Sequence, residues 1–131
     1  MTLSELYQRA EADGIEVDDF RMRKAVSVSF PENWIAIDKK RIPTRREDKA
    51  ILAHEIGHCE TGSFYNIHSN YDTRKKHENR ANARAYEMLI PYAELRRALK
   101  SGNTETWQLA EYFDVPDRFM QEALAYWAGN S

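Results

Sequence analysis

Cysteine is nearly absent: Cys59 is the only one in 131 residues, so no internal disulfide can staple the fold and an oxidising destination gains no support. Glycine and proline are sparse too, at 5 and 4 residues, which leaves little material for linkers, repeats or low-complexity coil. No apolar run approaches the length of a bilayer-spanning helix, so no membrane partner is expected. The stretch Met1-Thr2-Leu3-Ser4-Glu5 lacks the basic and apolar regions of a secretory signal, which makes a cytoplasmic location the default. A large charge of one sign is also missing. The formal net charge is −2, which argues against a generic binder of polyanions. The charge is nonetheless uneven, with nine Lys or Arg against four Asp or Glu in residues 21–49, and one against five in residues 101–131.

What is present is the material of one ordinary domain: 42% hydrophobic and 31% charged residues in a chain of a size that buries about two-thirds of its unfolded surface. Residues 2–14 predict a helix, with Thr2 and Glu5 as a capping box and Gly14 as the stop. Residues 15–20 read as extended. Residues 25–30 alternate, with Val26, Val28 and Phe30 on one side and Ser27 and Ser29 on the other; Pro31-Glu32-Asn33 then turns the chain into Trp34 to Asp38. This pair predicts an antiparallel hairpin.

A helix follows that opens at Thr44, with Glu47 completing a second candidate capping box, and closes at Gly62. A second helix is predicted from Asp72 or Thr73 to about Ile90, where Pro91 ends it and opens a short helix to Lys100. The last third is helical, with Trp107, Ala110 and Phe113 on one segment and Phe119, Ala123 and Trp127 on the next. Its cadence is that of a helix-turn-helix, but residues 117–127 offer only Arg118 against Asp117 and Glu122, so packing is favoured over DNA reading and no direct nucleic-acid binding is expected.

The chemistry concentrates in His54-Glu55-Ile56-Gly57-His58. Residues four apart lie nearly above one another on a helix, so His54 and His58 present two imidazoles about 6 Å apart at their Cβ atoms, a spacing that suits one metal ion. Glu55 is turned to the side, placed to act as general base. A catalytic zinc takes three protein groups, and Glu78 is the best candidate for the third: Ala81, Ala85 and Met88 continue its helical stripe, and the small alanines permit close approach of the two helices. Gly57 costs about 1 kcal/mol relative to alanine in a helix interior, and close backbone approach is the expected reason. Cys59 adjoins His58 but points about 100° away, and reads as a small packed residue. Glu87 faces away from the site. His77 is rotated from Glu78 and is not counted as a ligand, while Asn82, one turn on, is placed to orient the Glu78 carboxylate. Tyr65, His68, Tyr71, His77 and Tyr86 are candidates for stabilising an oxyanion, and spacing does not choose among them.

The run His54-Glu55-Ile56-Gly57-His58, then Glu78-x-x-Ala81-Asn82, then Met88-Leu89-Ile90-Pro91 resembles the ImmA/IrrE family of metallo-endopeptidases, found as regulators in mobile elements and prophages. The specific part covers about residues 44–91. The resemblance implies an α+β, zincin-like single domain over residues 1–131: a small antiparallel sheet packed on a metal-binding helix, with a metal-site core at about 44–91 and additional C-terminal helices over about 92–128. It carries the metal ligands onto His54, His58 and Glu78 and the catalytic glutamate onto Glu55, a gluzincin-like set. A sheet edge above the metal helix would pair with an extended substrate. The implied cofactor is Zn2+, with Mn2+ allowed by the same donors. The implied partner is a protein substrate, a helix-turn-helix transcriptional repressor of the mobile element. Arg84 departs from the pattern, since many members carry an apolar or aromatic residue there. The competing functions are a non-hydrolytic, metal-stabilised regulator that binds a repressor or other protein, and an amide hydrolase for small molecules.

Overall fold

The computed structural model describes residues 1–66 and 68–129. Helix α1 spans Leu3–Ala12, and Thr2 caps it through the reciprocal pair of bonds with Glu5. Gly14, at φ +71°, turns the chain into strand β1, Glu16–Asp19. Strands β2, Ser27–Phe30, and β3, Trp34–Ile37, form the expected hairpin, with Asn33 at φ +59° in the turn. A single 3-10 turn, Lys39–Arg41, leads to helix α2, Arg45–Thr61. Thr44 caps α2 by accepting from the Glu47 amide, and Gly62 closes it in the left-handed conformation.

Helix α3 spans Tyr71–Leu89 and starts earlier than expected, because the Asn70 side chain accepts from the Thr73 amide and makes residue 70 the cap. Helix α4 is Tyr92–Lys100, α5 is Thr106–Phe113 and α6 is Asp117–Trp127. The fold is α+β, with a three-stranded sheet on one side of α2 and helices on the other, an arrangement consistent with a zincin-like domain. No helix among the described residues is long and apolar enough to cross a membrane.

The sheet is mixed, which corrects the all-antiparallel expectation. Its order is β1-β3-β2, with β2 antiparallel and β1 parallel to β3. After β1 the chain crosses the end of β3 to reach its far side, so β1 and β3 run the same way. Ile35 and Ile37 point inward and join Leu52 and Ile56 of α2 in the buried core. Each such side chain contributes about 1.5–3 kcal/mol by leaving water. Ser29 lies opposite Ile35 and Ser27 opposite Ile37, so the serines of β2 face α2 and Val28 and Phe30 face outward.

The ladder also fixes which amides of β2 remain outward. The Asp38 amide donates to the Val26 carbonyl at 2.8 Å, so that pair is hydrogen-bonded, and bonded pairs alternate along an antiparallel ladder. Val28 and Phe30 therefore turn their main-chain groups to β3, while Ser27 and Ser29 turn theirs to the outer edge. The site-facing side chains and the outward amides belong to the same two residues.

Helix α6 packs on α3 through Phe119 and Tyr126 against Tyr86, with the Tyr126 hydroxyl donating to Glu87 at 2.5 Å and the Trp127 indole donating to the Ile90 carbonyl at 2.8 Å. Trp107 does not share the buried face of α5: it is 57% exposed, because the buried stripe runs through Leu109, Ala110 and Phe113 and the first turn overhangs it.

Candidate metal centre

The site forms where α2 and α3 cross. A Cβ on Gly57 would stand 2.5 Å from the carbonyl oxygen of Ala81, so the helices meet backbone to backbone at a distance only glycine permits. Glu78 lies three residues before Ala81 and projects from the same face of α3 toward α2. Its Oε2 lies 2.9 Å from His54 Nε2, and its Oε1 lies 3.1 Å from His58 Nε2. The three donor atoms lie within 4.8 Å of one another.

The remaining ring nitrogens are tied off. His58 Nδ1 lies 2.5 Å from the Ser63 carbonyl, which only accepts, so Nδ1 donates there and Nε2 is turned to Glu78. His54 Nδ1 lies 2.8 Å from Asn82 Oδ1, which orients the ring in the same way. Asn82 thus orients a histidine and not the Glu78 carboxylate, contrary to expectation. Burial lowers the His54 pKa, but the hydrogen bond to Glu78 and the charges of Glu55 and Glu78 outweigh it and leave it raised. Hydrogen bonds from His54, then His58, with Tyr65 adding less, hold Glu78 well below the ordinary carboxylate range. Two imidazoles and one carboxylate facing a common point, each imidazole locked by a second partner, fit a borderline divalent cation such as zinc.

A cleft of about 190 Å³ opens over these groups, lined by His54, Glu55, His58 and Glu78 below and by Ser27 to Ser29 of β2 along one side. Glu55 is 6% exposed, and its Oε2 accepts from the Ser27 hydroxyl at 2.5 Å. Tyr65 reaches in from the segment after α2, donating to Glu78 Oε1 at 2.8 Å, with its ring edge-on to His58 and stacked on His77.

Of the five oxyanion candidates, Tyr65 alone lines this cleft. Tyr71 and His68 are exposed, Tyr86 donates to Glu122 on the far side of α3, and His77 packs under the Tyr65 ring. Cys59 lies half-buried on another face, its thiol pushed up to about 11 by burial, and lines a polar hollow with Arg9, Glu60 and Arg84. Glu87 bonds to Tyr126 and Arg84, away from the site. Two participants escaped sequence reasoning, namely Ser27 at Glu55 and the Ser63 carbonyl at His58. The one sequence clue to Ser27 was the polar side of the alternating strand.

Among known proteins, the family described as Peptidase_M78, IrrE N-terminal-like domain, matches residues 11–125. No curated protein and no solved structure matched the chain.

Proposed function

The chain belongs to the IrrE N-terminal-like peptidase family, a metallopeptidase family, and on that premise we propose that it cuts a protein substrate at a centre formed by His54, His58 and Glu78, with Glu55 as general base. The observation that carries this reading is the convergence of both Nε2 atoms on one carboxylate while both Nδ1 atoms are held from behind. A zinc-type cation, when bound, supplies Lewis acidity to the scissile carbonyl and acidifies a water.

The chain's own groups do the rest. Glu55 takes the proton from that water and returns it to the leaving amine, and the Ser27 hydroxyl holds the carboxylate in place for both transfers. The Tyr65 hydroxyl donates to the developing oxyanion. The outward amides of Ser27 and Ser29 bind the substrate main chain as an added strand. Residues 44–91 carry the reacting groups and residues 92–128 support α3. The substrate, by family resemblance, is a transcriptional repressor of a mobile element or prophage.

The test is incubation of the metal-loaded protein with the repressor from the same element, read by mass spectrometry. We expect one reproducible internal cut. Glu55→Gln, at unchanged metal content, should lower the cleavage rate by at least about 10³-fold. Stoichiometric binding without new termini would replace hydrolysis with a metal-stabilised binding role.

A further inference from the structure

The outer face of the sheet carries an aromatic group that the proposed chemistry does not use. Phe30 stacks on Trp34 with ring centroids 4.9 Å apart, and Phe20 meets the same indole edge-on at 5.8 Å. The Trp34 indole N–H donates to Asp18 at 2.8 Å, which fixes the ring. Phe20 and Phe30 nonetheless remain 47% and 36% exposed. A hollow of about 330 Å³, lined by Phe30, Pro31, Glu32 and Trp34, opens beside them with room for one large side chain. The group is continuous with the catalytic cleft through Val28, which lines that cleft and shares the outer face with Phe30.

The ladder connects this face to a strand bound at the edge. A peptide hydrogen-bonded to Ser27 and Ser29 alternates its side chains between the two faces of the extended sheet, whichever direction it runs. Residues opposite Ser27 and Ser29 point toward the metal helix. Residues opposite Val28 and Phe30 point to the outer face, where directly opposed side chains on neighbouring strands touch and diagonal aromatic ones reach each other.

We infer that Val28 and Phe30 set substrate specificity: the cleaved segment is extended and carries large apolar or aromatic residues at alternate positions, one of them packed on the Phe30–Trp34 stack. This rests on the peptidase reading for its substrate and on strand pairing for its register. It selects, within protein substrates, segments of alternating apolar character, such as a strand or an unfolded stretch, over helical or charged ones.

The experiment uses a random library of short peptides in two arms. In the first, metal-loaded Glu55→Gln protein captures peptides without hydrolysis; in the second, the wild-type protein cleaves them, and both sets are sequenced by mass spectrometry. Leu, Phe, Tyr or Trp should be enriched about tenfold at one position and again two residues away. In the Glu55→Gln background, Phe30→Ser should erase the enrichment at one of these positions and leave the other. Val28→Ser, which removes less packing, should weaken the other. Enriched capture without any cutting sinks hydrolysis and keeps the specificity. Cutting or capture without alternate enrichment, or enrichment unmoved in folded Phe30→Ser and Val28→Ser proteins, overturns the inference, as does no capture at all.

Discussion

Gly57 is the residue on which the site geometry turns. An added methyl group would meet the Ala81 carbonyl oxygen at 2.5 Å and its carbonyl carbon at 3.2 Å, and main-chain atoms of a helix cannot step aside singly. Gly57→Ala should therefore force α3 away, costing about 2–4 kcal/mol of stability and weakening metal binding, as thermal unfolding and zinc titration calorimetry would read. Tyr65 makes the opposite kind of prediction. Tyr65→Phe removes the hydroxyl that donates to Glu78 and leaves both histidines tied, so kcat should fall about 10²-fold with KM hardly moved, while zinc affinity weakens by a smaller factor.

Much at this scale was legible because it is local. Two histidines one turn apart, a glutamate on a stripe with Ala81, Ala85 and Met88, and a glycine without a capping role all follow from the 3.6-residue period. Asn82 was read as the partner of Glu78 because one helical turn separates them. The crossing of the two helices instead offers it the nearer His54 nitrogen, a non-local fact. The bond from Ser27 to Glu55 spans 28 positions, and no local pattern announces it.

Among elements, β2 shows its alternation in the sequence but not which of its two sides faces inward. Valines alternating with serines suggest that the valines pack inward. The opposite holds, because the serines pair with Ile35 and Ile37 and the inner side of this edge strand borders the cleft over His54, Glu55 and His58 and not core. The hairpin was readable from its turn, whereas the parallel pairing of β1 with β3 depends on a crossover that strand patterns do not encode. Edge position also permits a direct test of strand addition. Proline is tolerated where an amide takes no part in the ladder, and the Ser29 amide points outward. Ser29→Pro should keep the circular dichroism spectrum and zinc affinity but raise KM for peptide substrates about tenfold or more, since it removes a main-chain donor from the docking edge. An unchanged KM would rule out pairing at this edge.

For the whole molecule, the uneven charge resolves into internal ties. Arg45 and Arg46 converge on the carboxylate of Asp114; Arg41 donates to the carbonyls of Met22, Lys24 and Ala25; and buried Lys49 donates to the Phe113 carbonyl. Arg84, the departure from the family pattern, has a role of the same kind. With Arg9 it clasps Glu60 at 2.7–2.9 Å, joining α1, α2 and α3.

Burial alone would raise the Glu60 pKa, but hydrogen bonds from Arg9, Asp13 and Arg84 bring it down to about 2, against 4.5 when unperturbed. A carboxylate with a depressed folded pKa stabilises the fold above its unfolded pKa, and that contribution is lost as pH falls through the folded value. Asp13, raised chiefly by its hydrogen bond with Glu60, offsets part of this. Stability should thus drop by about 2 kcal/mol between about pH 4.5 and 2 through this cluster, and Glu60→Gln should flatten that limb in denaturant titrations across pH.

The backbone contact between Gly57 and Ala81 bears on which ion the proposed centre would hold. Helices locked in rotation by their main chains form a socket whose shape is set before any cation arrives, so exchanging one ion for another requires no refolding. Under those terms the occupant would be settled by how well an ion's preferred geometry matches a fixed pair of imidazoles and a carboxylate, weighed against its supply around the protein.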